Sequence, residues 1–328
     1  MTKILMTLAA STCVLAVSAM SADAASVNLR FAYASNATPT KEAMAKFGEI
    51  LSEKTNGEVT VSYFPDSQLG GERELVEMVQ SGLLDMTKVS GGLMESFSPV
   101  YGVFSLPYLF DDQDHYYKVM DDPKIMEPIY QSTADRGMIG LTYYDSGARS
   151  FYTSKKPIEK VEDLKGLKIR VLQSPTSIRM VQMLGAAPVA MSQDEVYTSL
   201  QQGVLDGAEN NEFAMTVARH AEVAKFYTYD VHTRIPDVVL IGTAAMAKLS
   251  PEQQQAVRDA AKESTEYHKK LWNDAVAEAK KECEEKFGVK FIYPDVSEFQ
   301  KAVQPMYDDL KGNETIYPVF ESIRAEAK

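Results

Sequence analysis

Arg170 lies in "GLKIRV", where Leu167, Ile169 and Val171 face one side of a strand and Lys168, Arg170 and Leu172 face the other. A strand in a parallel sheet is covered on both faces, so an arginine there is either buried with an acidic partner or placed at the carboxyl edge. Open α/β sheets bind their ligands at that edge. Guanidinium grips a carboxylate through two parallel hydrogen bonds, which supplies orientation as well as charge compensation. Arg149 follows Gly147 and Ala148 in a connecting segment, and taken alone it reads as a solvated or lobe-bridging arginine. "LDGAENN" carries Asp206, Glu209, Asn210 and Asn211 after a DG turn at the end of a short strand. Asparagine donates and accepts at once, which suits carboxylate and hydroxyl recognition and equally suits helix capping.

Other chemistries have no comparable signal. His115, His220, His232 and His268 are far apart, and none pairs with another His or Cys at metal-ligand spacing. Gly70, Gly71 and Gly91, Gly92 are adjacent pairs with the wrong spacing for a phosphate loop or dinucleotide fingerprint, and no GxSxG elbow is present. No cofactor or metal is expected. An enzymatic reading, a lyase or isomerase, would need a general base beside its substrate, for which His232 and Glu209 are the least unlikely candidates. Cys283 falls on a helical pattern in an acidic stretch and reads as a packed apolar side chain rather than a reactive thiol.

The 328 residues, 45% hydrophobic and 24% charged, have the balance of a globular protein with two or three cores. A net charge of -12 removes the basic footprint that phosphate neutralisation needs, so no nucleic-acid partner is expected. Lys3, the apolar run over 4–20 and Ala22-Asp23-Ala24 form a secretory signal peptide over 1–24, cleaved before Ala25, which places the protein in the periplasm. The exported chain then keeps only Cys283, so it forms no internal disulfide.

The elements that must position these residues read as α/β. Strand patterns over 28–34, 58–64 and 84–90 alternate with helical patterns over 39–54 and 72–80, which predicts parallel crossovers. A second lobe repeats the pattern, with strands at 168–172, around 189 and over 205–210 and helices over 176–184 and 192–202. Residues 138–144 and 150–153 read as extended connections, and 238–243 returns the chain to the first lobe. Ser250, Pro251 and Gln253 open a long helix that Gly288 stops, long enough to brace both lobes. The boundaries expected are 25–145 plus 235–328 for lobe I with its bracing helix, and 146–234 for lobe II.

"FPDSQLGGERELVEMVQSGLLDM", "FSLPYLF", "DLKGLKIRV", "EVYTSLQQGVLDGAEN" and the long terminal helix together resemble the solute-binding proteins of tripartite ATP-independent periplasmic (TRAP) transporters, the DctP-type family. The resemblance spans essentially the whole chain after the leader. It implies two α/β lobes in a periplasmic-binding-protein-like architecture, crossing strands, and a carboxylate ligand enclosed between the lobes. It also implies membrane transporter subunits as partners and no catalysis. By this resemblance Arg170 grips the carboxylate, Arg149 is the second ligand arginine and Asn210 its partner. Glu72 and Ser90 match positions that contact the rest of the ligand, and Asn211 and Lys41 are expected to reach hydroxyls. "GARSFYT", "DGAENN" and "HTRIPDV" resemble the subgroup that binds hexuronates such as glucuronate and galacturonate. Met191, Ser192, Gln193 and Ser90 depart from the sialate-binding pattern. A C4-dicarboxylate or another small organic acid is the alternative ligand.

Overall fold

The computed structural model describes residues 26–34 and 37–327; the leader expected over 1–24 lies outside the described residues. Among the described residues eleven strands run in chain order as β1 (Val27–Tyr33), β2 (Val59–Phe64), β3 (Met86–Ser90), β4 (Met138–Tyr144), β5 (Arg149–Thr153) and β6 (Lys168–Val171), then β7 (Ala187–Ala190), β8 (Gly207–Asn210), β9 (Phe226–Thr233), β10 (Asp237–Gly242) and β11 (Lys290–Ile292). They form two sheets, ordered β2-β1-β3-β10-β4 and β11-β9-β5-β8-β6-β7. The two-lobed α/β reading therefore holds.

In the first sheet β1 pairs parallel with both β2 and β3, the crossovers being the Thr38–Lys54 and Glu72–Gln80 helices. β10 enters antiparallel between β3 and β4. Every residue of β10 is buried, which explains its continuous run Val238-Val239-Leu240-Ile241: a central strand covered on both faces has no solvent side for polar residues. Residues 138–144 and 150–153, expected as connections, are sheet strands in their own right. β4 belongs to the first sheet and β5 to the second, so the lobe crossing occurs over 145–148. The return crossing lies over 234–236, between β9 and β10.

The Pro251–Glu285 helix has 35 residues, which at about 1.5 Å per residue makes it roughly 52 Å long. Ser250 Oγ accepts from Gln253 N at 3.2 Å while Gln253 Oε1 accepts from Ser250 N at 3.0 Å, closing the capping box. Along its length the helix joins three apolar clusters. Val257, Ala260 and Ala261 pack under the first sheet, Trp272 and Ala279 meet Phe213, and Cys283 sits in the second lobe with Tyr152 and Tyr227.

The chain after this helix does not stay with the first lobe, as the expected boundary at 235–328 required. Gly288, at φ 64°, turns it back so that β11 pairs parallel with β9 in the second sheet. The following Val296–Leu310 helix packs on β9 and on the Pro175–Met183 helix, and only the Tyr317–Ala325 helix returns to the first lobe, against Pro123–Gln131. A helix of 35 residues delivers its carboxyl end to the far lobe, where β11 joins the second sheet.

Cys283 is wholly buried, and burial among nearby carboxylates pushes its thiol up to about 12. Thiol reagents should label it slowly in the native protein and rapidly in denaturant. Fast native labelling would show that the long helix does not pack this face against the second lobe.

Candidate functional site

Because β1, β2 and β3 are parallel, their carboxyl ends and the first turns of the helices that follow open on one edge of the first sheet. That edge brings Thr40, Glu72, Lys88 and Ser90 to one side of a cleft, and Asp237 joins them because it pairs opposite Ser90 at the start of antiparallel β10. Across the cleft stand Arg170 on β6, Gln193 just after β7, and Arg149 and Asn210, which β5 and β8 hold together through the Ser150–Asn210 register. Phe213 and Trp272 supply an apolar wall, with ring centroids 5.0 Å apart. The space between these walls, open mouth included, is about 710 Å³.

Arg170 is only 2% exposed. Its Nε and Nη2 donate to the Met191 carbonyl at 3.0 and 2.8 Å, and Nη1 donates to Gln193 Oε1 at 3.0 Å. All three bonds go to neutral oxygens, and no carboxylate among the described residues forms an ion pair with this guanidinium. Burial lowers its pKa, opposed by Glu209 and reinforced by Arg149, yet an arginine remains charged. A buried, charged, planar donor thus faces the cleft with no ion-pair partner among the described residues.

Arg149 has the opposite circumstance. Its Nε donates to Glu209 Oε2 at 2.6 Å, Nη2 donates to Glu209 Oε1 at 3.0 Å and to the Glu209 carbonyl at 2.8 Å, and Nη1 donates to Asn210 Oδ1 at 2.9 Å. Glu209 continues to His232 Nε2 at 3.4 Å, and His232 Nδ1 lies 2.7 Å from Asp230 Oδ2. Burial alone would raise Glu209, but Arg149 and His232 hold it down at about 2. Burial likewise disfavours the imidazolium of His232, but Asp230 and Glu209 carry its pKa up to about 9. The result is a buried chain of alternating charge behind the cleft, and neither Glu209 nor His232 lines the cleft itself.

The remaining expected residues divide. Asn210 donates from Nδ2 to Gln193 Oε1 at 3.3 Å and so links the two arginines. Asn211 lines the cleft, but its amide is engaged locally: Oδ1 accepts from Phe213 N at 3.0 Å, capping the Glu212–Thr216 helix, and Nδ2 donates to the Ser146 carbonyl at 2.7 Å. Ser90 N donates to Glu72 Oε1 at 3.1 Å, which ties those two together at the cleft edge. Lys41 is not brought to the cleft; it pairs with Asp66 at 2.7 Å on the exposed side of its helix. Thr40 faces the cleft instead, and the next residue is turned about 100° around the helix.

Lys88 and Asp237 were not singled out by sequence. Lys88, 3% exposed, donates from Nζ to Asp237 Oδ2 at 2.8 Å and lies 3.7 Å from Glu72 Oε1. The available signal was a lysine inside "MTKVS", an otherwise uncharged strand pattern. Burial raises the Glu72 carboxyl above its ordinary value, opposed by Lys88 and reinforced by Asp237.

Residues 31–313 match the model of the bacterial extracellular solute-binding protein family 7, DctP. The uncharacterized protein YiiZ of Salmonella typhimurium is 57% identical over 296 residues, 90% of each chain. A TRAP periplasmic solute-binding protein from Anaerococcus prevotii with bound α/β-D-glucuronate is similar at 38% identity and a TM-score of 0.88, over 92% of this chain and 98% of that one. Another, from Xanthobacter autotrophicus with bound β-D-galacturonate, is similar at 39% identity and a TM-score of 0.86, over 90% and 99%.

The buried charge chain has a pH signature. His232 is raised in the folded state from an ordinary value of 6.5 to about 9, so its contribution is complete below about pH 6.5 and is lost as pH rises through 9. Glu209 is depressed, so its contribution is complete above about pH 4.5 and is lost as pH falls towards 2. A Tm series across pH 6–9.5 should fall for the wild type and be flatter for His232→Gln. Parallel slopes would show that the imidazole is not held charged.

Proposed function

The chain belongs to family 7 of the bacterial extracellular solute-binding proteins, the DctP family of TRAP receptors, and on that premise we propose that it captures a hexuronate such as D-glucuronate or D-galacturonate. The observation that carries this reading is Arg170: a guanidinium 2% exposed, lining the cleft, whose described partners are all neutral. A ligand carboxylate is the counter-ion it lacks. The bound uronates of two relatives at 38% and 39% identity support the choice of acid.

In this reading the carboxylate docks on Arg170 beside Gln193 and Asn210. Arg149, held by Glu209, acts chiefly by fixing Asn210 and by lending positive potential to the cleft. That local potential matters because the net charge of -12 does not favour an anion at long range. Glu72, Ser90 and Asp237 receive the hydroxyl end from the other lobe, and Phe213 with Trp272 covers the sugar's apolar edges. Neither lobe holds all of these groups, so binding favours closure about the crossings at 145–148 and 234–236. Lys41 has no part in the site.

The closed receptor would deliver its ligand to the membrane subunits of a TRAP transporter, in the periplasm, after cleavage of the 1–24 leader. Catalysis is not proposed: the two candidate bases, Glu209 and His232, are engaged with each other behind the cleft. An affinity near 1 μM requires about 8 kcal/mol, within reach of one enclosed ion pair and several hydrogen bonds.

Arg170→Lys should weaken uronate binding at least tenfold by calorimetry, since an ammonium forfeits one of two charge-assisted bonds worth about 1.5–3 kcal/mol each. The unmodified protein should gain several degrees in Tm with either uronate. Unchanged affinity in the lysine variant would remove Arg170 from its assigned role, and no thermal response to either uronate would remove the ligand class.

A further inference from the structure

The wall facing Arg170 carries charge of its own. Glu72, Lys88 and Asp237 all line the cleft, and the two carboxylates share a single ammonium, which leaves that wall with one negative charge in excess. We infer that Glu72 and Asp237 make the cleft selective for acids with one carboxylate and a hydroxylated far end, and that they exclude diacids of the same carbon length. This inference rests on the reading of Arg170 as the carboxylate anchor.

Three features carry it. First, Lys88 cannot serve as a second anion anchor. It is 3% exposed, and its single charge is already outweighed by Asp237, 2.8 Å from its Nζ, and Glu72, 3.7 Å away, so a further carboxylate there meets a wall that is net negative. Second, the oxygens left open are acceptors. Glu72 Oε1 receives Ser90 N and faces Lys88, whereas Glu72 Oε2 and Asp237 Oδ1 receive no hydrogen bond from the described residues. A sugar hydroxyl can donate to them, whereas an ionised carboxylate has no proton to give. Third, Lys88 and Asp237 are buried, so repulsion between a second ligand carboxylate and this wall is only weakly screened by salt. The wall therefore favours hydroxyls and opposes a second anion with the same two groups, which is how a site separates ligands of similar size.

D-Galacturonate and galactarate share a six-carbon hydroxylated skeleton and differ in one terminal carboxylate, so they isolate this property. Competition calorimetry on the whole protein should show galacturonate binding at least about 100-fold more tightly than galactarate. Glu72→Gln keeps the Lys88–Asp237 pair intact and should narrow that ratio at least tenfold, and Asp237→Asn should move it the same way. A melting curve establishes that each variant is folded. Ring closure and shape differ between the two acids but not between wild type and Glu72→Gln, so a change in the ratio reports the wall's charge. If wild type binds both acids equally, or if the ratio is unaltered in folded variants, the inference is overturned while the uronate reading stands. If galactarate binds tightly and galacturonate weakly, or neither binds, the uronate reading falls and this inference with it.

Discussion

An ion withdrawn from water loses several kcal/mol of solvation unless the protein supplies a counter-charge or a set of hydrogen bonds. Arg170 is held under that constraint by hydrogen bonds to neutral oxygens, with carboxylates only at longer range. The Met191 carbonyl and Gln193 Oε1 fix the plane of its guanidinium but do not neutralise it. The neighbouring Arg149 is neutralised completely, by a carboxylate that also meets His232, itself paired with Asp230. The contrast gives the site its direction. One arginine is part of a self-compensated scaffold, and the other lines the cleft with no ion-pair partner among the described residues.

The fold serves this arrangement by keeping two incomplete half-sites apart and in register. Parallel β1, β2 and β3 place Glu72, Lys88 and Ser90 at one sheet edge, and antiparallel β10 adds Asp237 from a segment that has just returned from the other lobe. Antiparallel β5 and β8 set Arg149 beside Glu209 and Asn210. The Pro251–Glu285 helix joins the apolar clusters of both halves, so short crossings connect the two sides of the cleft and one long helix spans them.

Much of this was legible in the sequence, because helical and strand periodicities report local burial. The first βαβαβ unit, the long helix and its capping box, the packed Cys283 and the position of Arg170 all follow from such patterns. Pairings over long sequence separations do not. Nothing local shows that Arg149 is bound by Glu209, 60 positions away, or that Lys88 meets Asp237, 149 positions away. Nor does anything local show that Lys41 pairs with Asp66 while Thr40 lines the cleft. The tail was assigned to the wrong lobe because a helix's sequence gives its length but not where its far end lands. β4 and β5 read as connections because their buried residues lack the alternation that marks a half-exposed strand.

The orientation of the ligand carries the central claim, and a crystal structure of the protein with D-galacturonate reads it directly. The carboxylate oxygens should lie about 3 Å from the Arg170 guanidinium nitrogens, with the ring hydroxyls directed at Glu72 and Asp237 across the cleft. A carboxylate seated on Lys88, with hydroxyls at Arg170, would contradict the assignment of the two walls.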